Sequence, residues 1–306
     1  MDVKSGRFTY NRMTSWNSSR VQSPSGNILW IQNNVFAHYE SMESILVNYT
    51  HFFPSARISK VFLDVPRNVE FASYIRTKYP HVVFGTPLTY HYYIGVTLYP
   101  EEYEQVKKKN PRTHVYISHR VCPDVYRNAK NVFYLTPLSS YNVFQADILP
   151  FSNQKQKQKQ HTERPIYLIQ GDIRKRNTHL LKAILDGAYS REFRIKILGK
   201  GELPPTFEAY KDKLILCRNY NWKDYHTEIL DCYCILPLVL KATHPHYYTD
   251  TFTSSIQYAR AYKLKCLLDR DAQAIYNLPD VEVFQDETDI VDAFRRTLEG
   301  YTPLNM

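Results

Sequence analysis

The chain has 306 residues, 43% hydrophobic and 23% charged, a globular composition with room for two modest domains or one large one. Its formal charge of +9 favours anionic ligands: nucleic acid, acidic membrane or phosphorylated small molecules. No run approaches the roughly 20 apolar residues of a membrane-spanning helix, and five scattered cysteines fit buried thiols better than a disulfide framework or a zinc site.

Residues 1–26 are polar, rich in Ser and Asn, and lack an apolar signal-peptide core, so they read as a flexible leader on a soluble, cytoplasmic protein. "NILWIQNNVF" (27–36) is then a strand running into a turn. "HYESMESILVNYTHFF" places Met42, Ile45, Leu46, Tyr49 and Phe53 at helical spacing. "KVFLDVP" reads as strand, "NVEFASYIRTKYP" as helix and "HVVFGTP" as strand. "PEEYEQVKKKN" is a helix with acids in its first turn and lysines in its last, as the helix dipole prefers. "THVYISHRV" and "NVFYLTP" add two strands, so residues 27–150 make a mainly parallel α/β domain.

"FSNQKQKQKQHTERP" begins at residue 151. Alternating Gln and Lys offers no apolar face, so residues 151–164 are a solvated linker. From 165 to 306 the alternation resumes. "PIYLIQG" is strand, and "THLLKAILDGAY" is a helix with Leu180, Leu181, Ile184, Leu185 and Ala188 on one face. "FRIKILGKG" and "KLILCRNY" are strands, "WKDYHTEILDC" helix, "YCILPLVL" strand and "TSSIQYARAYK" helix. "LKCLLD" and "VEVF" are strands, and "DETDIVDAFRRTLEG" is a closing helix. Sheets wound this way bind ligands beyond the carboxyl ends of their strands.

Three stretches of the second half point to an anion. Gly171 follows a strand directly, where a missing Cβ permits a sharp turn and close approach, and Arg174, Lys175 and Arg176 follow before the next helix start. The bland alternative is a surface loop that is merely basic. Gly199 and Gly201 end the next strand, without a G-x-G-x-x-G fingerprint or a ribose-binding acid after it, which discounts a nicotinamide or flavin enzyme. Asp250, Thr251, Thr253, Ser254 and Ser255 precede the helix of Ile256, with Gln257 in its first turn; one such residue suffices as a plain cap, whereas a row of them suits an anion cradle.

A glycine turn with basic residues, a second glycine pair, and a polar loop before "LKCLLD" together resemble the donor half of GT-B glycosyltransferases. The exostosin-like enzymes and the algal-virus capsid-glycan transferases are the nearest types. The resemblance implies two Rossmann-like domains facing across a cleft, with a nucleotide-sugar held by the second. It puts Gly171, Arg174, Lys175 and Arg176 at the diphosphate, Gly199 and Gly201 at the second glycine turn, and Ser254 and Ser255 on the phosphate side of the last loop. Gln257 falls where many members keep a ribose-binding glutamate, a departure from the pattern. Asp250 sits one residue off the register of that glutamate's acidic partner.

Tyr220 and Trp222 follow a strand where this fold holds the base, and an aromatic there can stack on it, although core packing explains them equally. On the acceptor side, Asn33, Asn34 and His38 follow the first strand. Asp64 and His119 are the carboxylate and histidine placed to deprotonate an acceptor hydroxyl. No metal site and no cofactor beyond the donor substrate are implied, because basic groups and helix ends stabilise a leaving diphosphate. The reading is transfer of xylose or a hexose, UDP-linked by family habit, to a glycan or glycoprotein hydroxyl. An epimerase or hydrolase of the same fold is the first rival. A nucleic-acid-binding protein is the second, set back by basic residues scattered over both halves.

Overall fold

A computed structural model describes residues 26–33, 39–65, 69–97, 113–118, 129–138, 143–144, 163–218 and 220–302. The linker reading, apart from Glu163 and Arg164, and the "PEEYEQVKKKN" helix fall outside them.

The first half builds a sheet from β1 (Asn27–Asn33), β2 (Ile58–Asp64), β3 (Val82–Phe84), β4 (Tyr92–Val96), β5 (His114–Ser118) and β6 (Val132–Tyr134), in the order β3-β2-β1-β4-β5-β6. Helices α1 (Tyr39–Val47), α2 (Tyr49–Phe52) and α3 (Val69–Lys78) belong to this half of the sequence. β4 escaped the sequence reading. No helix separates it from β3, so the strand–helix alternation gives no cue, yet Tyr93 and Ile94 are fully buried and β4 pairs in parallel with both β1 and β5.

The second half holds β7 (Ile166–Asp172), β8 (Arg194–Lys200), β9 (Leu214–Cys217), β10 (Cys234–Ile235), β11 (Lys265–Asp269) and β12 (Val281–Phe284), ordered β12-β11-β10-β7-β8-β9. Counted from its own first strand, this is again 3-2-1-4-5-6, the doubly wound order whose direction of winding reverses beside the first strand. The helices are α4 (Thr178–Ala188), α5 (Trp222–Thr227), α6 (His246–Thr249), α7 (Ser254–Tyr262), α8 (Arg270–Tyr276) and α9 (Ile290–Glu299).

Alternation along β7 divides the core of this half. Tyr167 and Ile169 pack with Leu180, Leu181, Ile184 and Leu185 of α4 and with Ile290 and Phe294 of α9. Ile166 and Leu168 point the other way, onto Ile256 and Ala259 of α7 and Ala272 of α8. A strand covered on both faces is apolar at nearly every position, which is why "PIYLIQ" reads as one continuous run. Four elements differ from the sequence reading, the short helix α6 being one it did not contain. β10 is confined to two residues because Pro237 and Leu238, the latter at φ +50°, end the strand. α5 stops at Thr227. α8 follows β11 without a break because Asp269, the last residue of the strand, accepts from the N–H groups of Asp271 and Ala272 and so starts a helix.

Candidate functional site

The carboxyl ends of β7 and β8 are bare backbone. Gly171 and Gly199 face each other across the ladder, at φ +99° and +149°. A Cβ on Gly199 would lie 2.0 Å from the Gly171 carbonyl oxygen, so the strands can approach this closely only with glycine there. Gly201, at φ +86°, lies under the Asp172 and Arg174 side chains, where a Cβ would come within 2.8 Å of Asp172 Oδ1.

The three cations that follow separate. Arg174 turns outward, 69% exposed, and is gripped by Asp172: Nε donates to Oδ1 at 2.9 Å and Nη2 to Oδ2 at 2.6 Å. The hydrogen bonds and charge of Arg174 hold the Asp172 carboxyl down at about 2. Lys175 is exposed. Arg176 folds back into the protein and is buried. Its Nη2 donates to the Gln170 carbonyl at 2.7 Å and to Ser255 Oγ at 3.2 Å, while Nε and Nη1 are buried without a hydrogen-bond partner. A guanidinium has five N–H bonds; the two on Nη2 are used, and Nε and Nη1 make no well-formed hydrogen bond, although the Tyr247 hydroxyl lies close enough to act on the guanidinium as a hydrogen-bond partner. No carboxylate among the described residues lies within ion-pair distance of it. Burial pulls Arg176 below the ordinary arginine value, partly offset by Tyr247, Tyr225 and Asp172, but arginine keeps its charge regardless.

Beside this charge stands the N-terminus of α7. Thr253 is its N-cap residue but makes no capping bond with its side chain, and its buried Oγ1 has no partner. Ser254 and Ser255 donate instead to Gln170 Oε1, at 3.1 and 3.4 Å. Gln257 is buried one turn further along. Tyr225 accepts from Gln170 Nε2 at 2.8 Å. His244 approaches from the loop after β10. Burial, then the charges of His246 and Arg176, hold it below the usual histidine value, with a backbone bond to Lys175 acting against them.

The N-terminus of α4, expected to present free N–H groups after Gly171, is closed. Asn177 Oδ1 accepts from His179 N at 3.0 Å and Leu180 N at 3.3 Å. The open helix end is therefore that of α7.

Of the other predicted residues, Tyr220 is 39% exposed. Trp222 opens α5 and lies with its ring centroid 4.3 Å from that of His226. Asp250 is the C-cap of α6 and accepts from the Thr251 hydroxyl. In the first half, buried Asn33 accepts from Thr97 Oγ1 at 2.9 Å. Asp64 accepts from Thr86 Oγ1 at 2.8 Å; burial raises its carboxyl above the usual value and the hydrogen bond offsets part of that. Asn34, His38 and His119 lie outside the described residues. Among the described residues no group of three or more His, Cys, Asp or Glu side chains could hold a metal ion.

The chain matches no protein-family model and no curated protein. Among solved structures it resembles a glycosyltransferase from Rickettsia africae ESF-5, with TM-score 0.57, 9% identity, and 90% of this chain and 89% of that one covered. AviGT4, a glycosyltransferase involved in avilamycin A biosynthesis, superposes with TM-score 0.55 at 12% identity over 90% and 88% of the two chains. The fold is GT-B. UDP-GlcNAc 2-epimerase from Neisseria meningitidis is also similar, at TM-score 0.53 and 10% identity over 89% and 91%. At such identities the likeness is one of fold.

Within this GT-B chain, sequence reasoning missed Gln170, Tyr225 and Tyr247, and weighed His244 only as a metal ligand. Only Gln170 carried a signal: a polar residue ending an otherwise apolar, doubly covered strand one position before the glycine turn.

Proposed function

We propose that the protein is a glycosyltransferase that moves a sugar, a pentose such as xylose or a hexose, from a UDP-linked donor to a hydroxyl of a glycan or glycoprotein. The observation that carries this is Arg176: a buried cation with Nε and Nη1 lacking well-formed hydrogen bonds and no carboxylate counter-ion among the described residues, next to the N-terminus of α7 and above a glycine-lined strand end. Burying a charge without a partner is costly, and a bound diphosphate would supply the missing partner. As the bond from the sugar anomeric carbon to the diphosphate oxygen breaks, negative charge grows on that oxygen. Fixed donors aimed there stabilise it without reorganising, and no metal or other cofactor is required.

On this reading Gly171, Gly199 and Gly201 admit the diphosphate, Arg176, Thr253 and the backbone N–H groups of Ser254 and Ser255 bind it, and Gln257 and Asp250 face the donor's sugars. Arg174 and Lys175 attract it from the surface, and Tyr220 and Trp222 flank the base. Asp64, with its raised carboxyl, takes the acceptor's proton, with His119 its alternative, and Asn33, Asn34 and His38 bind the acceptor. The order of the glycine turns and the polar loop supports the narrower placement with exostosin-like or algal-virus capsid-glycan transferases, acting in the cytoplasm.

Titration with UDP and GDP tests the reading directly. Ligand at 100 times its dissociation constant should add about 2.7 kcal/mol of stability, and a flat thermal response to both nucleotides would sink it. The likeness to a 2-epimerase keeps one other reaction in play. Incubation with UDP-sugar alone should leave the donor intact, whereas epimerised or hydrolysed donor would favour that reaction.

A further inference from the structure

Arg176 keeps its charge open because the residue supporting it is neutral. Gln170 is buried and bonds through both ends of its carboxamide. Nε2 donates to Tyr225 Oη of α5 at 2.8 Å, and Oε1 accepts from Ser254 and Ser255 at the start of α7. Its backbone carbonyl receives Arg176 Nη2 at 2.7 Å, and Ser255 Oγ accepts from the same nitrogen at 3.2 Å. One side chain thus ties β7 to α5 and α7, one hydroxyl away from the guanidinium. A carboxamide can donate to the tyrosine and accept from the serines at once, which an ionised carboxylate cannot. A carboxylate would keep the serine contacts but supply the arginine with an internal counter-ion.

We infer that Gln170 is the positioning residue of this site, aiming the open edge of Arg176 and the N-terminus of α7 at one point while leaving their positive potential for a diphosphate. The inference rests on the nucleotide-sugar reading above. It predicts that charge and shape at position 170 separate in a pair of variants.

The probe is UDP, followed by titration calorimetry on the full chain, with a thermal melt of each ligand-free protein. Gln170→Glu retains the serine contacts and gains an ion pair, so its melting temperature should match or exceed that of the unsubstituted protein while its UDP affinity falls by at least about tenfold. Gln170→Ala removes the ties, and both stability and affinity should fall. Opposite movement of stability and affinity in Gln170→Glu is the signature that a purely structural role does not produce. The inference is overturned if Gln170→Glu binds UDP within about threefold of the unsubstituted protein, if it fails to fold, or if Gln170→Ala binds UDP normally. Should the unsubstituted protein bind no UDP, the nucleotide reading falls first and takes this inference with it; that outcome is distinct from the other three.

Discussion

The two sheets share one strand order and differ in the charge that they bury at their carboxyl ends. At the head of the first, polar side chains answer one another: Tyr93 donates to Gln32, Thr97 to Asn33 and Thr86 to Asp64. At the head of the second, Thr253 and the cation Arg176 are buried with donors short of well-formed bonds; the first half also buries such donors, Trp30 Nε1 and Ser41 Oγ, but these are neutral groups. Topology therefore marks two equivalent places, and the charge buried at the second distinguishes them. A polar group that already has its partner adds stability; one that waits for a partner spends stability to bind.

The largest effect comes from breaking the backbone contact on which the second head stands. Gly199→Ala places a Cβ against the Gly171 carbonyl at a φ that favours glycine. The β7–β8 pair must part, and a loss of about 3 kcal/mol or more is expected in urea unfolding. A midpoint close to that of the unsubstituted protein would mean that the strand ends are less tightly held than described.

Next is the open charge itself. Arg176→Met keeps the length and removes the cation, so UDP affinity should fall about a hundredfold while the melting temperature holds or rises, as found when buried ions are replaced by apolar groups. Equal losses of stability and affinity would make Arg176 a structural residue and erase the contrast between the sheets.

Much of this contrast was legible in the sequence. Continuous apolar runs gave β7, β8 and β11, and helical spacing gave α4, whose predicted apolar face is buried as a unit. Glycine at the strand end marked the left-handed backbone of Gly171, but the strand runs through it to Asp172 and the turn comes only at Ile173. Burial of single side chains was not legible, because Arg174, Lys175 and Arg176 are chemically alike and only the path of the turn sends one of them inward. Asp172 decides it in part: it holds Arg174 outside through a pair two residues apart. The same limit applies to Asn177, which reads as one more polar loop residue until its side chain is seen to close the start of α4.

A smaller effect should come from the first head. Thr97→Val keeps the shape and leaves the Asn33 carboxamide oxygen without the Thr97 hydroxyl. A cost of about 1 kcal/mol in urea unfolding is expected, with UDP affinity unchanged. A change in UDP affinity from this position would show the first head acting on the nucleotide, and the division of labour between the sheets would have to be redrawn.

The smallest effect belongs to Arg174. It is well exposed and paired only with Asp172, so Arg174→Ala should shift stability near neutral pH less than Thr97→Val does. Its signature lies in acid. The Asp172 carboxyl is held at about 2 in the folded chain, against about 3.9 for a free aspartate. A depressed carboxyl contributes stability that is fully present above the free value and disappears as pH falls through the folded one. The unsubstituted protein should therefore lose this increment between about pH 4 and pH 2, and the alanine variant, lacking it from the start, should meet it at the lower end. Parallel curves across that window would mean that Asp172 is not held by Arg174. The arginine would then be free to reach a ligand, and two of the three cations, rather than one, would count toward the site.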